Sequence, residues 1–490
     1  QDKLDSRLNE LTEYALATAE LHGYVSRVVA IRESAYEVAA ELKETIPESG
    51  YVMTPPMELS NNPDRYEKYQ DLHACIKSAV DLATEAETTV GPRYRALADG
   101  QYALSEGRHS ESAGLANDAD PSWTPEEVSV WWALLSETER EALINKDPEK
   151  YGNLDGIDMA SRAKANELVL LGPKDASGQH VPGAGLLGQA ERDLAEAEAA
   201  MVGATSNLAA LDLKRKQAQN RVDDLRALRD QMNVDGVTLV SLQPGKQGEN
   251  VLAALAIGDV DNAEHVATMV PGMTTNCRDS AALNLGYAYN LREAAVRAGA
   301  DKNNVATIAW LGYDAPPALP DLSVASTAQA EAGADPLRKF ATGIHSWRSE
   351  RGMDVHQSII PHSYGSTTAG IAMRSIGKDV VDDFAYTGSP GAGVASVGTL
   401  GVDKDHVWVS AVPHHDAVQG IGTDGNFGLD PKTLKGIGHL SGDASGAKDY
   451  STYSLNPVAN HSSYFVAPEP GKQNHALNDL GKVIADAKER

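Results

Sequence analysis

The sequence predicts a mostly parallel α/β sheet with helices on both faces, preceded by an all-α region. Three observations carry that reading. Apolar residues recur at three and four through the first 235 residues, then give way to short β-rich runs. Those runs alternate with helical patterns, as parallel strands require. One run, Ser358-Ile359-Ile360, ends abruptly in His362-Ser363-Tyr364-Gly365 and a string of small residues, the pattern of a strand turning sharply into a helix.

Taken in order, residues 1 to 46 place Leu4, Leu8, Leu11, Ala15 and Ala19 on one helical face, and 65–105 repeat the pattern. Pro55-Pro56 and Asn61-Asn62-Pro63 punctuate the connection between them. Thr124 with Glu127 makes a capping box with Pro125 at the first helical position, and Ser136 with Glu139 makes a second. The stretch 187–232, rich in Ala, Glu, Lys and Arg, reads as one arm of a helical hairpin or short coiled coil. Strands are expected after Asp235-Gly236 over 237–242, 253–257, 265–270, 305–311, 355–360, 383–387 and 406–412, with helices over 280–298, 336–351 and 367–376. Residues 313–335, with Pro316, Pro317 and Pro320, read as a cap loop near the catalytic edge. The expected organisation is a hairpin-like helical region (1–120), a helical segment on or linking to the core (121–235) and a catalytic domain (236–490).

Composition narrows the function. The 490 residues suffice for two or three domains, and a net charge of −26 argues against nucleic acid or an anionic bilayer as partner. No apolar run is long enough to span a membrane, and Gln1-Asp2-Lys3-Leu4 opens no apolar segment, so no signal peptide is expected. Cys75 and Cys277 make neither a disulfide framework nor a zinc site, and no cofactor or metal is expected. Compartment stays open between the cytoplasm and export by a non-classical, type VII-like route.

The chemistry is expected at Ser363. A serine nucleophile needs a base within reach, and the base needs a carboxylate to fix its tautomer. After the run ending at Val412 come Pro413-His414-His415-Asp416, which puts Asp416 beyond the carboxyl end of a strand; His461 follows in a loop before the last helix. The order Ser363, Asp416, His461 suits a serine triad on a parallel sheet. Asp382, Asp383, Asp424 and Asp430 are rival acids, and His414, His415 and His439 are rival bases. The oxyanion hole is expected from the backbone N–H groups of Tyr364 and Met273, the latter in Pro271-Gly272-Met273-Thr274 after the strand 265–270. Gly272 and His362 are the expected substrate-binding residues.

The segments HVATMVPGM, AWLGYDAPP, IIPHSYGSTTAG, YTGSPGAGV and NHSSYF resemble the actinobacterial α/β-hydrolase family of the family-8 type, long classed as a domain of unknown function. The likeness reaches back to WTPEEVSVWW and NLDGIDMASRAKANELVL, covering roughly 123–485. In that family the elbow usually reads G-H-S-Y-G-S; this chain matches from His362 to Ser366 and carries Pro361 in place of the glycine. The resemblance implies an α/β-hydrolase fold and a serine esterase- or lipase-like activity on a small-molecule or lipid-like acyl substrate. Trp132 reads as core and Arg162 as an ion-pair partner, with a role over the active site as the alternative. A second function remains in view: a partner-binding or structural protein, with protein partners or self-association through the N-terminal helices and a non-catalytic core. Those helices resemble the hairpins of type VII secretion substrates, without the Trp-x-Gly turn. Acyl transfer to a nucleophile other than water is not separable from hydrolysis in sequence.

Overall fold

The computed structural model describes residues 118–246, 248–317, 326–422 and 427–487, together with scattered positions between 17 and 92, all helical. Most of the N-terminal pattern, its Pro55-Pro56 and Asn61-Asn62-Pro63 connection, Cys75, Pro320 and Asp424 lie outside the described residues. Numbered from the first continuous stretch, helices α1 (Pro125–Leu134), α2 (Glu137–Lys146), α3 (Pro148–Tyr151), α4 (Met159–Leu171), α5 (Gly185–Met201) and α6 (Leu208–Met232) precede the sheet. Both expected capping boxes are present, each with the reciprocal pair of bonds. The run 187–232 differs from expectation: it holds both arms of a hairpin, α5 and α6. Gly203 (φ 77°) and Asn207 (φ 57°) turn the chain between them with left-handed backbone that interrupts a helix.

The sheet follows as β1 (Val237–Gln243), β2 (Leu252–Ile257), β3 (His265–Val270), α7 (Cys277–Arg297), β4 (Val305–Leu311), α8 (Ala328–Glu350), β5 (His356–Pro361), α9 (Tyr364–Met373), β6 (Asp383–Thr387), β7 (Val407–Ser410), β8 (Gly438–His439) and α10 (His475–Ile484). Its eight strands run in the order β1-β2-β4-β3-β5-β6-β7-β8. β2 is antiparallel to both of its neighbours; every other pair is parallel. Helix α8 starts at Ala328, eight residues before the expected start. Pro336 therefore sits inside it, unable to donate to the carbonyl of residue 332.

Side chains alternate between two covered faces. Val266 and Val270 of β3, Ile359 of β5 and Phe384 of β6 pack with Leu337, Phe340 and Ile344 of α8 and with Ala369 and Met373 of α9. On the other face Ala267 and Met269, Ile360 and Ala385 meet Leu291 of α7 and Leu477, Leu480 and Val483 of α10. Each such leucine or valine contributes about 1.5–3 kcal/mol on burial, so α10 is held by its apolar stripe.

The helical segment before the sheet closes the sheet's open edge. Asn153 donates to Leu242 O (2.7 Å) and accepts from Leu242 N (3.0 Å). Arg162 Nε donates to Val240 O at 2.7 Å, and Asn166 donates to Leu239 O at 3.1 Å. These side chains satisfy β1 backbone groups that would otherwise offer a template to another strand. Arg162 also pairs with Asp155 at 2.6 Å, while Trp132 is fully buried and donates its indole N–H to Asp158. Their work is on β1 and in the core.

Candidate active site

Ser363 stands at the junction of β5 and α9 with φ 56° and ψ −135°. A non-glycine residue there is strained by about 1–3 kcal/mol and persists only where its surroundings over-determine it. They do. Ser363 N donates to Thr387 O (3.0 Å), His362 N donates to Val270 O (2.9 Å), and Gly365 N donates to His362 O (3.0 Å). Gly365 is required by close approach: a Cβ there would lie 2.4 Å from Val270 O. Pro361 is absorbed at the strand end. The β5–β6 ladder pairs Ser358 with Asp383 and Ile359 with Phe384, then resumes at His362 with Thr387. Pro361 falls in that gap, where its carbonyl accepts the Thr387 hydroxyl at 2.7 Å.

The loop after β3 lies directly against the serine. A Cβ on Gly272 would stand 2.5 Å from Ser363 Cβ, 2.8 Å from its Oγ and 3.1 Å from Tyr364 N. Only glycine fits, and its backbone faces the same point as the Tyr364 amide. Thr274, two residues on, has φ 63° and donates its N–H to Pro316 O (2.8 Å). Tyr313 donates to Pro271 O (2.7 Å), pinning the loop from below. The Tyr364 hydroxyl donates to Ser326 O (2.6 Å) and accepts from Ala330 N (3.3 Å), fixing the start of α8 over the same edge.

Asp416 and His461 meet. Nδ1 of His461 lies 2.7 Å from Asp416 Oδ1. Since an ionised carboxylate only accepts, the proton sits on Nδ1 and leaves Nε2 with its lone pair. That Nε2 is buried and makes no hydrogen bond in this conformation, Ser363 included. Burial pushes the Asp416 carboxyl up, but the bond and charge of His461 and the bond from Tyr464 outweigh it and hold the group below its usual range. The rival acids are elsewhere: Asp383 lies at the opposite end of its strand, bonded to Trp408, and Asp430 accepts from Gln419. Among the rival bases, His415 bonds Thr452 O and His439 is exposed on β8.

His362 is turned into the protein. Its side chain packs on the His461 ring with centroids 4.4 Å apart and on Phe465 at 5.3 Å. Its Nε2 lies 2.6 Å from His461 O, a carbonyl that can only accept, so Nε2 carries the proton. Burial, with the neighbouring His461 second, holds its pKa down to about 3, so the ring stays neutral at ordinary pH.

Three residues that the sequence reading gave no role complete the geometry. Tyr464 donates to Asp416 Oδ2 (2.5 Å) and accepts from Val412 N (2.9 Å), tying the acid's carboxylate to the end of β7. Asn460, fully buried, takes N–H from Ser451 on Oδ1 and donates to His414 O and Ser451 O; its own N–H reaches His415 O. It clasps the loop carrying His461 to the loop carrying Asp416. Gly388, with φ 53°, leaves room for both: a Cβ there would stand 3.0 Å from His461 Cε1 and 3.1 Å from Asp416 Oδ2. Asn460 and Tyr464 were visible inside Asn460-His461-Ser462-Ser463-Tyr464, but nothing local says that Asn460 meets His414 O and Tyr464 meets Asp416, each almost fifty residues upstream.

An eight-stranded, mostly parallel sheet with a strained serine at the end of β5 defines an α/β hydrolase, and the chain belongs to that family: a profile described as "Alpha/beta hydrolase" matches residues 247–423. The uncharacterized protein Rv0963c of Mycobacterium tuberculosis is 35% identical over 231 residues, 45% of this chain and 84% of that protein. The uncharacterized protein Rv2079 of the same organism is 31% identical over 303 residues, 58% of this chain. This chain spans only 42% of the length of that relative. Among solved structures, Aspergillus fumigatus lipase B is similar at 13% identity over 70% of this chain and 89% of that one, with a TM-score of 0.24, too distant to bear on chemistry. Among the described residues no helix is long and apolar enough to cross a membrane.

Proposed function

We propose that the protein is a serine hydrolase that cleaves an ester or related acyl bond of a small-molecule or lipid-like substrate. Ser363 is the nucleophile, His461 the base and Asp416 the orienting acid. The observation that carries this is a serine at φ 56°, bonded to Thr387 at the sheet edge where the next residue, Gly388, borders a histidine whose Nδ1 is committed to a carboxylate 2.7 Å away. Asp416 fixes the tautomer that exposes a lone pair at Nε2 and stabilises the imidazolium that follows. Catalytic hydrogen bonds are often unmade until substrate is present, and His461 Nε2 has no other hydrogen-bond partner among the described residues to give up. The serine oxygen then attacks the acyl carbon while His461 takes its proton. The carbonyl oxygen, now negative, faces the Tyr364 N–H and the backbone beside Gly272, with the Met273 N–H as second donor. His461 returns the proton to the leaving alcohol, water enters, and the same steps in reverse free Ser363. His362 holds the His461 backbone rather than the substrate; Gly272 borders the reacting carbon.

Hydrolysis of p-nitrophenyl esters of graded acyl length tests the reading. Turnover that Ser363→Ala abolishes while the fold is retained supports it. Turnover equal in both proteins contradicts it.

A further inference from the structure

At the edge of the sheet opposite Ser363, we infer that His356, Asp383 and Asp486 form a binding site for a divalent transition-metal ion of the zinc class. The donors converge from three elements: the first residue of β5, the first residue of β6 and the turn just after α10. One ligand atom from each lies within 4.8 Å of the others. Their spacing in the chain carries no signature, and the sequence alone leads to the expectation of no metal.

The geometry at Asp383 suits a metal ligand. Its carboxylate is wholly buried, and Oδ1 is taken by the Trp408 indole N–H (2.7 Å) and faces His406 Nδ1 (3.2 Å). Those two contacts orient the group and turn Oδ2 toward His356, the arrangement by which outer partners aim a metal ligand. His356 Nε2 stands 3.0 Å from Oδ2, yet off the line of a hydrogen bond, and is buried with none. Two ligands of one tetrahedral ion, each about 2.0–2.2 Å from it, stand roughly 3.3 Å apart, so the 3.0 Å pair needs only a small spread to hold one between them. Asp486, exposed at φ 48°, supplies the third donor, with its ligand atom within 4.8 Å of the other two. One imidazole with two carboxylates, and solvent at a fourth position, suits zinc or manganese better than magnesium, which takes oxygen alone.

The site opens on a cavity of about 580 Å³ whose wall also holds Asp382, Asp403 and Asp405 against Lys378 and Lys404. Ions therefore have an entry path and a net negative field to enter. Seven residues of extended chain separate His356 from Ser363, roughly 23 Å, so the ion takes no part in the chemistry at the serine. Its role is to tie the starts of β5 and β6 to the end of α10.

The test is titration of the untagged, chelator-treated full chain with ZnCl2, by calorimetry and by metal analysis after dialysis. The expected result is one saturable site per chain and a rise in melting temperature. Asp486→Asn and His356→Gln should each weaken binding by about tenfold or more and cancel the thermal gain, with unchanged circular dichroism. Asp403→Asn, which lines the cavity but is not a donor, should bind as the parent does. Because Asp486 is exposed, its variant keeps the test meaningful even if His356→Gln misfolds. Absence of a saturable site, or equal affinity in Asp486→Asn, overturns the inference.

Discussion

Replacing His362 by Gln should flatten the acid limb of the protein's stability. In the folded chain the ring is buried against His461 and its pKa is held down to about 3, against an ordinary value of 6.5. Between those values the unfolded chain binds a proton that the folded chain refuses, so stability falls as pH drops from 6.5 toward 3 and is unaffected above. At pH 5 the unfolded ring is protonated and the folded ring is neutral, a difference of one and a half pH units. At 1.36 kcal/mol per unit this single residue costs about 2 kcal/mol relative to pH 8. Gln carries an amide N–H that can still reach His461 O, but no titratable proton. Urea unfolding followed by tryptophan fluorescence at pH 8 and pH 5 should show the parent losing about 2 kcal/mol more than His362→Gln. Parallel losses in the two proteins would refute the reasoning, because they would mean that His362 takes up its proton in the fold as readily as outside it.

Three further outcomes follow from the same geometry. Asp416→Asn keeps the packing but frees Nδ1 from a carboxylate, so kcat on an ester substrate should fall on the order of 10³–10⁴-fold with KM little changed; steady-state kinetics reads both. Tyr464→Phe strips one bond from the Asp416 carboxylate and an acceptor from Val412 N, at a cost of about 1–3 kcal/mol, with kcat reduced by at most about a hundredfold; an unchanged urea midpoint would contradict the clamp described. Arg162→Ala removes the donor to Val240 O and the partner of Asp155. Asp155 keeps 21% of its side-chain surface exposed, so the loss should be about 2–3 kcal/mol, below the full cost of a stranded buried charge; self-association through the bared β1 edge should appear in light scattering.

Much of this arrangement was legible in the sequence, and the exceptions have physical reasons. β3, β4 and β6 begin and end where the β-branched and apolar runs do, because those strands are buried on both faces and need nothing else. β8 was hidden because it is two residues, Gly438 and His439, within a glycine-rich stretch where pairing to Trp408 and Val409 supplies the order that side chains do not. Helix α8 was cut short because Gly333 and Pro336 punctuate its first turns. Gly333 is there for room: a Cβ would meet Tyr313 at 2.7 Å, the tyrosine that braces the Pro271 loop. Chain order was enough to propose Asp416 with His461, since topology brings the ends of β7 and the last loop to one edge. Asn460, Tyr464 and Gly388 escaped because their partners, the Asp416 carboxylate, loop backbone groups and a clearance, come together only after folding.

The central claim is that Ser363 is activated by its surroundings. Intact-mass analysis of the full chain after reaction with a fluorophosphonate tests it most directly, with Ser363→Ala and Asp416→Asn alongside. The account predicts a single adduct on Ser363 in the parent, none in Ser363→Ala and slow formation in Asp416→Asn. Folded parent protein that stays unlabelled, or an adduct that persists in Ser363→Ala, would contradict it.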